Sequence, residues 1–342
     1  ILGAHIDSPR IDVKQNPLYE QDSFAYLDTH YYGGIKKYQW VTTPLAIHGT
    51  VVKKDGTAVK VCIGEREEDP VFVITDILVH LSARQMEKKA SEVIEGEKLD
   101  LLIGNCPIPE EKEDAVKKNI LRLLEESYGI EEEDFYSAEL EIVPAGKARD
   151  CGFDRSMILG YGQDDRICAF TSLEAMLAMQ KTDKTLCCLL VDKEEIGSVG
   201  ATGMASRFFE NAVAELVALT EGESELKVRR ALQNSRMLSS DVSAAYDPMF
   251  AEVFEKRSAA FFGRGMSFNK FTGSRGKNGS NDANAEFIAD IRRIMDEAKT
   301  AYQFAELGRV DVGGGGTIAY LTANYGMEVI DLSLIHISEP TR

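Results

Sequence analysis

The 342-residue sequence predicts an α/β fold interrupted by a β-rich insert, and three observations carry that prediction. Short apolar runs end in acidic or imidazole side chains at residues 1–5, 185–195 and 237–241. Between residues 38 and 63 the pattern changes to β-rich runs with turns such as Lys54-Asp55-Gly56. After Pro144-Ala145-Gly146 the α/β pattern resumes and includes a long amphipathic stretch, residues 281–305.

In chain order, Ile1-Leu2-Gly3-Ala4 is an apolar run that delivers His5 and Asp7. In His-x-Asp the carboxylate can accept the ring N–H and fix the tautomer for metal binding. Taken alone, His5 could be an ordinary core histidine, which is the more common case. A different character begins near Lys14. Residues 38–47 and 50–63 are β-rich, and Asp69-Pro70 leads into the apolar residues 71–74. Residues 110–127 are charged, with Ile120, Leu121, Leu123 and Leu124 at helical spacing. Glu131-Glu132-Glu133-Asp134 reads as a solvated turn. Residues 161–166 open a helical stretch over 167–180, where Asp164 and Asp165 would serve as N-caps on the plain reading.

Residues 185–191 read as a buried strand, after which Glu194 and Glu195 stand side by side. Carboxylates at the carboxyl end of such a strand occupy the place where open α/β sheets bind ligands. Neighbouring side chains diverge there, so one can hold a metal while the other moves a proton. A solvated acidic turn is the plain alternative. Met237-Leu238 leads to Ser239-Ser240-Asp241, another strand-end acid, and Phe287, Ile288, Ile291, Ile294 and Met295 mark a helix face. Several carboxylates and one imidazole at strand ends, with no compensating basic cluster, repel one another in a partly dry cleft. A bound divalent metal removes that conflict. Oxygen ligands with one imidazole suit zinc, manganese or cobalt.

Composition sets outer bounds. Lys and Arg total 39 against 56 Asp and Glu, and a net charge of −17 disfavours nucleic acid, whose binding depends on phosphate neutralisation. No apolar stretch reaches membrane-spanning length. The six cysteines show no Cys-x-x-Cys spacing, which points to a reducing, cytoplasmic compartment with cysteines as packing residues.

Five segments taken in order carry a resemblance. They are Ala4-His5-Ile6-Asp7-Ser8-Pro9-Arg10, Gly162-Gln163-Asp164-Asp165, Asp192-Lys193-Glu194-Glu195-Ile196-Gly197-Ser198, Ser240-Asp241-Val242 and Gly313-Gly314-Gly315-Gly316-Thr317-Ile318. Together they resemble the motif set of the aspartyl aminopeptidase family of dinuclear zinc metallopeptidases, over residues 1–331. The resemblance implies a zinc-peptidase-like mixed sheet flanked by helices. The catalytic domain would comprise residues 1–14 and 144–331, with an inserted β-rich dimerisation domain at 15–143 and assembly into a dodecamer. It implies two zinc ions, with manganese or cobalt as alternatives, bridged by Asp164. One ion would also take His5 and Asp241, and the other Glu195. Glu194 would be the general base, Asp7 would orient His5, and the Asp164–Asp165 peptide bond would be cis. Among the insert's histidines, His30, His48 and His80, the segment around His80 resembles one that supports the oxyanion in a neighbouring subunit's site.

The implied reaction is release of an N-terminal residue, Asp or Glu, from a peptide. Lys270 is the candidate for the specificity cation, with Arg275 and Lys277 as alternatives, and a solvated loop is the plain reading of all three. The glycine run 313–316 lacks the Lys-Ser/Thr of nucleotide loops and reads as tight backbone near the metals. Two other readings are a co-catalytic zinc aminopeptidase of neutral specificity and an inactive oligomerising fragment. The expected partners are a peptide and further copies of the chain, not nucleic acid or membrane.

Both ends depart from the resemblance, which implies one more histidine ligand shortly after Asp331. Residues 332–342 instead resemble the translation of a transposase adapter, so they are expected to form a non-native tail outside the fold. His336 comes too early to be that ligand. Ile1 is not Met and lies within the first strand. The expectation is therefore a fragment truncated at both ends, with at most one tightly bound metal and little activity.

Overall fold

The computed structural model describes residues 1–337, which divide into two compact units. The first unit contains Ile1–Ser8 and, among the described residues, 162–337. Its six-stranded sheet runs in the order Cys188–Val191, Leu2–His5, Arg236–Ser240, Glu328–Ser333, Met266–Asn269, Tyr302–Phe304. The first four strands are mutually parallel, whereas Met266–Asn269 runs antiparallel to Glu328–Ser333, so the sheet is mixed. Successive strand side chains face opposite ways, and the sequence exploits that period of two. Leu189, Val191, Met237 and Val329 pack with Phe209, Leu232 and Ile318, whereas Phe268 and Ile330 pack with Phe287 and Ile291. Helix Gln163–Leu177 adds Cys168 and Ala169 against Ala4.

The parallel register matters for chemistry. His5 pairs with Val191, and Gly3 pairs with Ser239, so the carboxyl ends of three parallel strands lie side by side. Each chain segment leaving those ends carries acids.

The second unit, Pro9–Tyr161, is built on a seven-stranded sheet. Strands Arg10–Gln21 and Phe24–Tyr32 are joined by a two-residue turn at Asp22 and Ser23, both at positive φ, the geometry that suits a twisted hairpin. Its core gathers Ile11, Trp40, Leu45, Ile74, Leu101 and Ile142. Helix Ala115–Tyr128 packs Ile120, Leu121 and Leu124 against that core and leaves Leu123 exposed.

Several expectations shift. The boundaries expected at 14/15 and 143/144 lie at 8/9 and 161/162, because Arg10–Gln21 is one strand of the second sheet and Arg149–Cys151 pairs with Met157–Leu159. The helix read over 281–305 spans Ala285–Ala298 and ends at Lys299 in the left-handed region; Tyr302–Phe304 then joins the sheet. Of the expected solvated turn, residues 131–133 are exposed but Asp134 is not. Asp134 is buried and forms a capping box with Glu131 at the start of a 3₁₀ segment, Glu132–Ser137. The run 38–47 becomes a strand only at Leu45, since a 3₁₀ turn at Lys37–Gln39 first buries Trp40. The segment 332–342 does not lie outside the fold as a whole. Leu332 and Ser333 complete a central strand, and Ile335–His336 pairs with Ser243–Ala244. Residues 338–342 lie outside the described residues.

Candidate metal centre

Strand Leu2–His5 ends on an imidazole that is 2% exposed. Its Nδ1 faces Asp7 O at 3.0 Å and Asp7 Oδ1 at 3.2 Å. Both are acceptors, so Nδ1 carries a proton. Nε2 points the other way, 3.1 Å from Asp164 Oδ1, 3.8 Å from Asp241 Oδ1 and 4.0 Å from Glu194 Oε2. One ring edge therefore faces three separate carboxylates.

Each carboxylate arrives by its own local structure. Asp164 and Asp165 open helix Gln163–Leu177, joined by a cis peptide bond. They do not act as caps. Both are fully buried, Ser8 Oγ donates to Asp164 O at 2.6 Å, and His5 N donates to Asp165 Oδ2 at 3.2 Å. Glu194 and Glu195 begin a 3₁₀ turn just past strand Cys188–Val191. Asp7 holds that turn in place: Glu194 N donates to its Oδ1 at 3.1 Å and Glu195 N to its Oδ2 at 3.2 Å. Asp241 follows strand Arg236–Ser240, and its N donates to Leu332 O at 3.0 Å.

The electrostatics register the crowding. Burial, then the Asp241 charge, raises the Glu194 carboxyl to about 7. Burial raises Glu195 to about 8, opposed by His5 and reinforced by Glu194. Asp165 is pushed upward too, by burial and then by Asp241. Burial alone would lower His5, but the nearby Asp241 and Asp7 carboxylates and the surrounding charges outweigh it and raise the imidazole to about 11. Two like charges about 4 Å apart repel by about 4 kcal/mol at an effective dielectric of about 20. A domain's whole stability is about 5–15 kcal/mol. The carboxylates cannot all stay ionised here without added positive charge, and a second proton on His5 supplies some of it.

The donor set fits a divalent metal. Ligand atoms of His5, Asp164 and Glu195 lie within 4.8 Å of one another, as do those of His5, Asp165 and Asp241. Asp165 Oδ1 is buried without a hydrogen-bond partner among the described residues. Imidazole and carboxylate donors are ordinary zinc ligands. These triplets differ from the ligand sets that the resemblance implies, because Asp165 rather than Asp164 stands with Asp241. Sequence reasoning placed Asp165 only as a helix cap, although its adjacency to Asp164 in a paired acid motif was visible.

The remaining candidates lie elsewhere. His80 sits in the second unit, in an exposed 3₁₀ turn, Val79–Leu81. Its neighbours Leu78, Val79 and Leu81 are 71%, 76% and 69% exposed. His48 faces Glu65 at 2.8 Å and His30 faces Tyr31 O, so both have local partners. Lys270 is ion-paired with Asp282, and Lys277 reaches the same carboxylate at 3.0 Å. Arg275 and Lys277 line a cleft of about 270 Å³ beside the glycine run. His336 lies in strand Ile335–His336 and belongs to neither ligand triplet.

Comparison with known proteins agrees with this geometry. The family described as aminopeptidase I zinc metalloprotease (M18) matches residues 1–338, which runs into the segment expected to be foreign. A probable M18 family aminopeptidase 1 of Clostridium acetobutylicum is 64% identical across 99% of this chain and 74% of its own length. The crystal structure of aminopeptidase I from the same organism superimposes with a TM-score of 0.93 at 63% identity, over 99% of this chain and 74% of that one. The M18 aminopeptidase crystal structure from Thermotoga maritima gives 0.96 at 45% identity, over 99% and 75%. The mixed sheet, its strand-end His–carboxylate cluster and these likenesses together place the chain in the M18 family of zinc metalloprotease aminopeptidases.

Proposed function

We propose that this M18 chain removes the N-terminal residue, preferably Asp or Glu, from peptides by general-base hydrolysis. The observation that most supports the reading is the convergence of Asp164, Glu194 and Asp241 on one buried imidazole at the sheet's carboxyl ends. His5, Asp164 and Asp241, with Asp165 beside them, would hold one zinc ion and Asp164 with Glu195 a second, with manganese or cobalt as alternatives. When bound, zinc polarises the scissile carbonyl and acidifies the attacking water. The water oxygen bonds to the carbonyl carbon, Glu194 accepts the water's proton, and the same carboxyl delivers a proton to the departing amine as the C–N bond breaks. Asp7 keeps Glu194 in reach by anchoring its backbone N–H, and it orients His5 through Nδ1.

The exposed apolar turn around His80 supports its presentation to a neighbouring copy, where the imidazole would stabilise the oxyanion. Self-association through the second unit belongs to the same proposal. The yeast mApe1 structure, which shares the fold at 20% identity and a TM-score of 0.75, is a dodecamer. Six free cysteines accord with a cytoplasmic site of action.

Lys270 favours a second reading. Asp282 already neutralises it, and a specificity cation so occupied suits neutral substrates better. A panel of chromogenic aminoacyl substrates, assayed with zinc, separates the two. Acidic preference of at least about ten-fold in kcat/KM is expected, the size of one lost charge-assisted contact. Preference for neutral residues supports the second reading, and no hydrolysis of any substrate removes both.

A further inference from the structure

The glycine run 313–316 is held at one end by a buried hydrogen bond that the reaction as described does not use. Thr317 Oγ1 donates to Asp331 Oδ1 at 2.6 Å, and both residues are buried. The same hydroxyl accepts Ala319 N at 3.2 Å, which ties it to the start of helix Ala319–Ala323. Asp331 belongs to the central strand Glu328–Ser333, where it lies between Ser239 and Asn269 in register. The hydrogen bond therefore joins the end of the glycine run to a strand paired on both sides.

The run itself lies against other backbone. A Cβ at Gly313 would come within 2.0 Å of Leu307 O. One at Gly314, whose φ is +116°, would come within 2.7 Å of Gly273 O. Gly313 N donates to Arg309 O at 2.9 Å at the start of the run, whereas toward its end Gly315 N reaches Thr272 O only at 3.4 Å. The segments it touches, 271–277 and 306–313, are the walls of the cleft that contains Arg275, Lys277 and Arg309.

We infer that Thr317 and Asp331 are positioning residues that latch the glycine run to the sheet and so set the shape of the adjoining cleft for the substrate's N-terminal residue. The assignment of the cleft to substrate rests on the proposed aminopeptidase function; the latch itself does not. The latch acts on binding of substrate rather than on the proton transfer by Glu194.

Thr317→Val removes the hydroxyl and keeps the shape, and Thr317→Ser keeps the hydroxyl. Amide hydrogen exchange over residues 313–316, KM, kcat and zinc content are measured for the full chain and both variants. In Thr317→Val, exchange is expected to accelerate and KM to rise about five-fold, the size of one lost hydrogen bond. Its kcat and zinc content should stay within about two-fold, and Thr317→Ser should restore both readouts. If Thr317→Val does not fold, Thr317→Cys, with its weak donor, replaces it. Unchanged exchange overturns the latch. Altered exchange with unchanged KM, or with zinc lost, overturns its role in substrate binding. If the native chain hydrolyses nothing, the aminopeptidase reading fails while exchange still decides the latch.

Discussion

The Asp7 carboxylate accepts the backbone N–H groups of both Glu194 and Glu195 while facing His5 Nδ1, so one side chain fixes three site residues. In the proposed reaction the two glutamates it places would take different roles. Glu194 Oε2 lies 4.0 Å from His5 Nε2, whereas Glu195 belongs to a ligand triplet with His5 and Asp164. Glu194→Gln keeps volume but cannot accept a proton. It should lower kcat by about 10²–10⁴-fold with zinc retained. Glu195→Gln should lower zinc occupancy instead, because it removes a ligand. Steady-state kinetics with elemental analysis of both proteins checks the pair, and near-normal kcat in Glu194→Gln removes it from the role. The His-x-Asp and Glu-Glu motifs were legible from residue type and strand-end position. The double duty of Asp7 was not, because it depends on a tertiary contact nearly two hundred positions away.

At the scale of elements, the site is a product of parallel strands whose carboxyl ends coincide in register, as His5 beside Val191 shows. Short apolar runs announced those strands. The same patterning misjudged helix length at 281–305, since Lys299 in the left-handed region ends the helix and Tyr302–Phe304 has a sheet edge to join. It also read Asp134 as part of a solvated turn, because an acidic capping box and an acidic loop have the same composition. Gathering acids at strand ends has a pH signature. The Glu194 and Glu195 carboxyls are raised from 4.5 to about 7 and about 8 in the folded metal-free chain. Their stabilising contribution is present below the unfolded value and is lost as pH rises through the folded values. His5, raised from 6.5 to about 11, contributes in the same direction, with its loss beginning above 6.5. Zinc requires ionised carboxylates and a neutral imidazole, so its stabilisation must grow with pH. Thermal melts with chelator and with zinc, between about pH 5.5 and 8.5, should show a widening gap in Tm. A gap that stays constant across that range would contradict the assigned protonation states.

At the scale of the whole molecule, the β-rich second unit was legible from its turns and runs, but its boundaries were not, because Arg10–Gln21 passes from a motif segment into a sheet strand without a change in composition. Nor did composition show that residues 332–333 extend a strand, where Leu332 pairs with Ser240 and Phe268. The exposed turn carrying His80 has a consequence for assembly. His80→Ala should lower activity without loss of zinc, and mixing it with Glu194→Gln should restore some turnover where subunits exchange. Verified exchange with no restored turnover would rule out a shared site. All of this depends on the strand-end cluster being where the family's metal sits, and one measurement addresses that directly. Zinc per chain is determined by elemental analysis after gel filtration, for the native chain and for Asp164→Asn, with folding checked by circular dichroism. The native chain should retain zinc and the folded variant should lose most of it; equal zinc in the two would contradict the account.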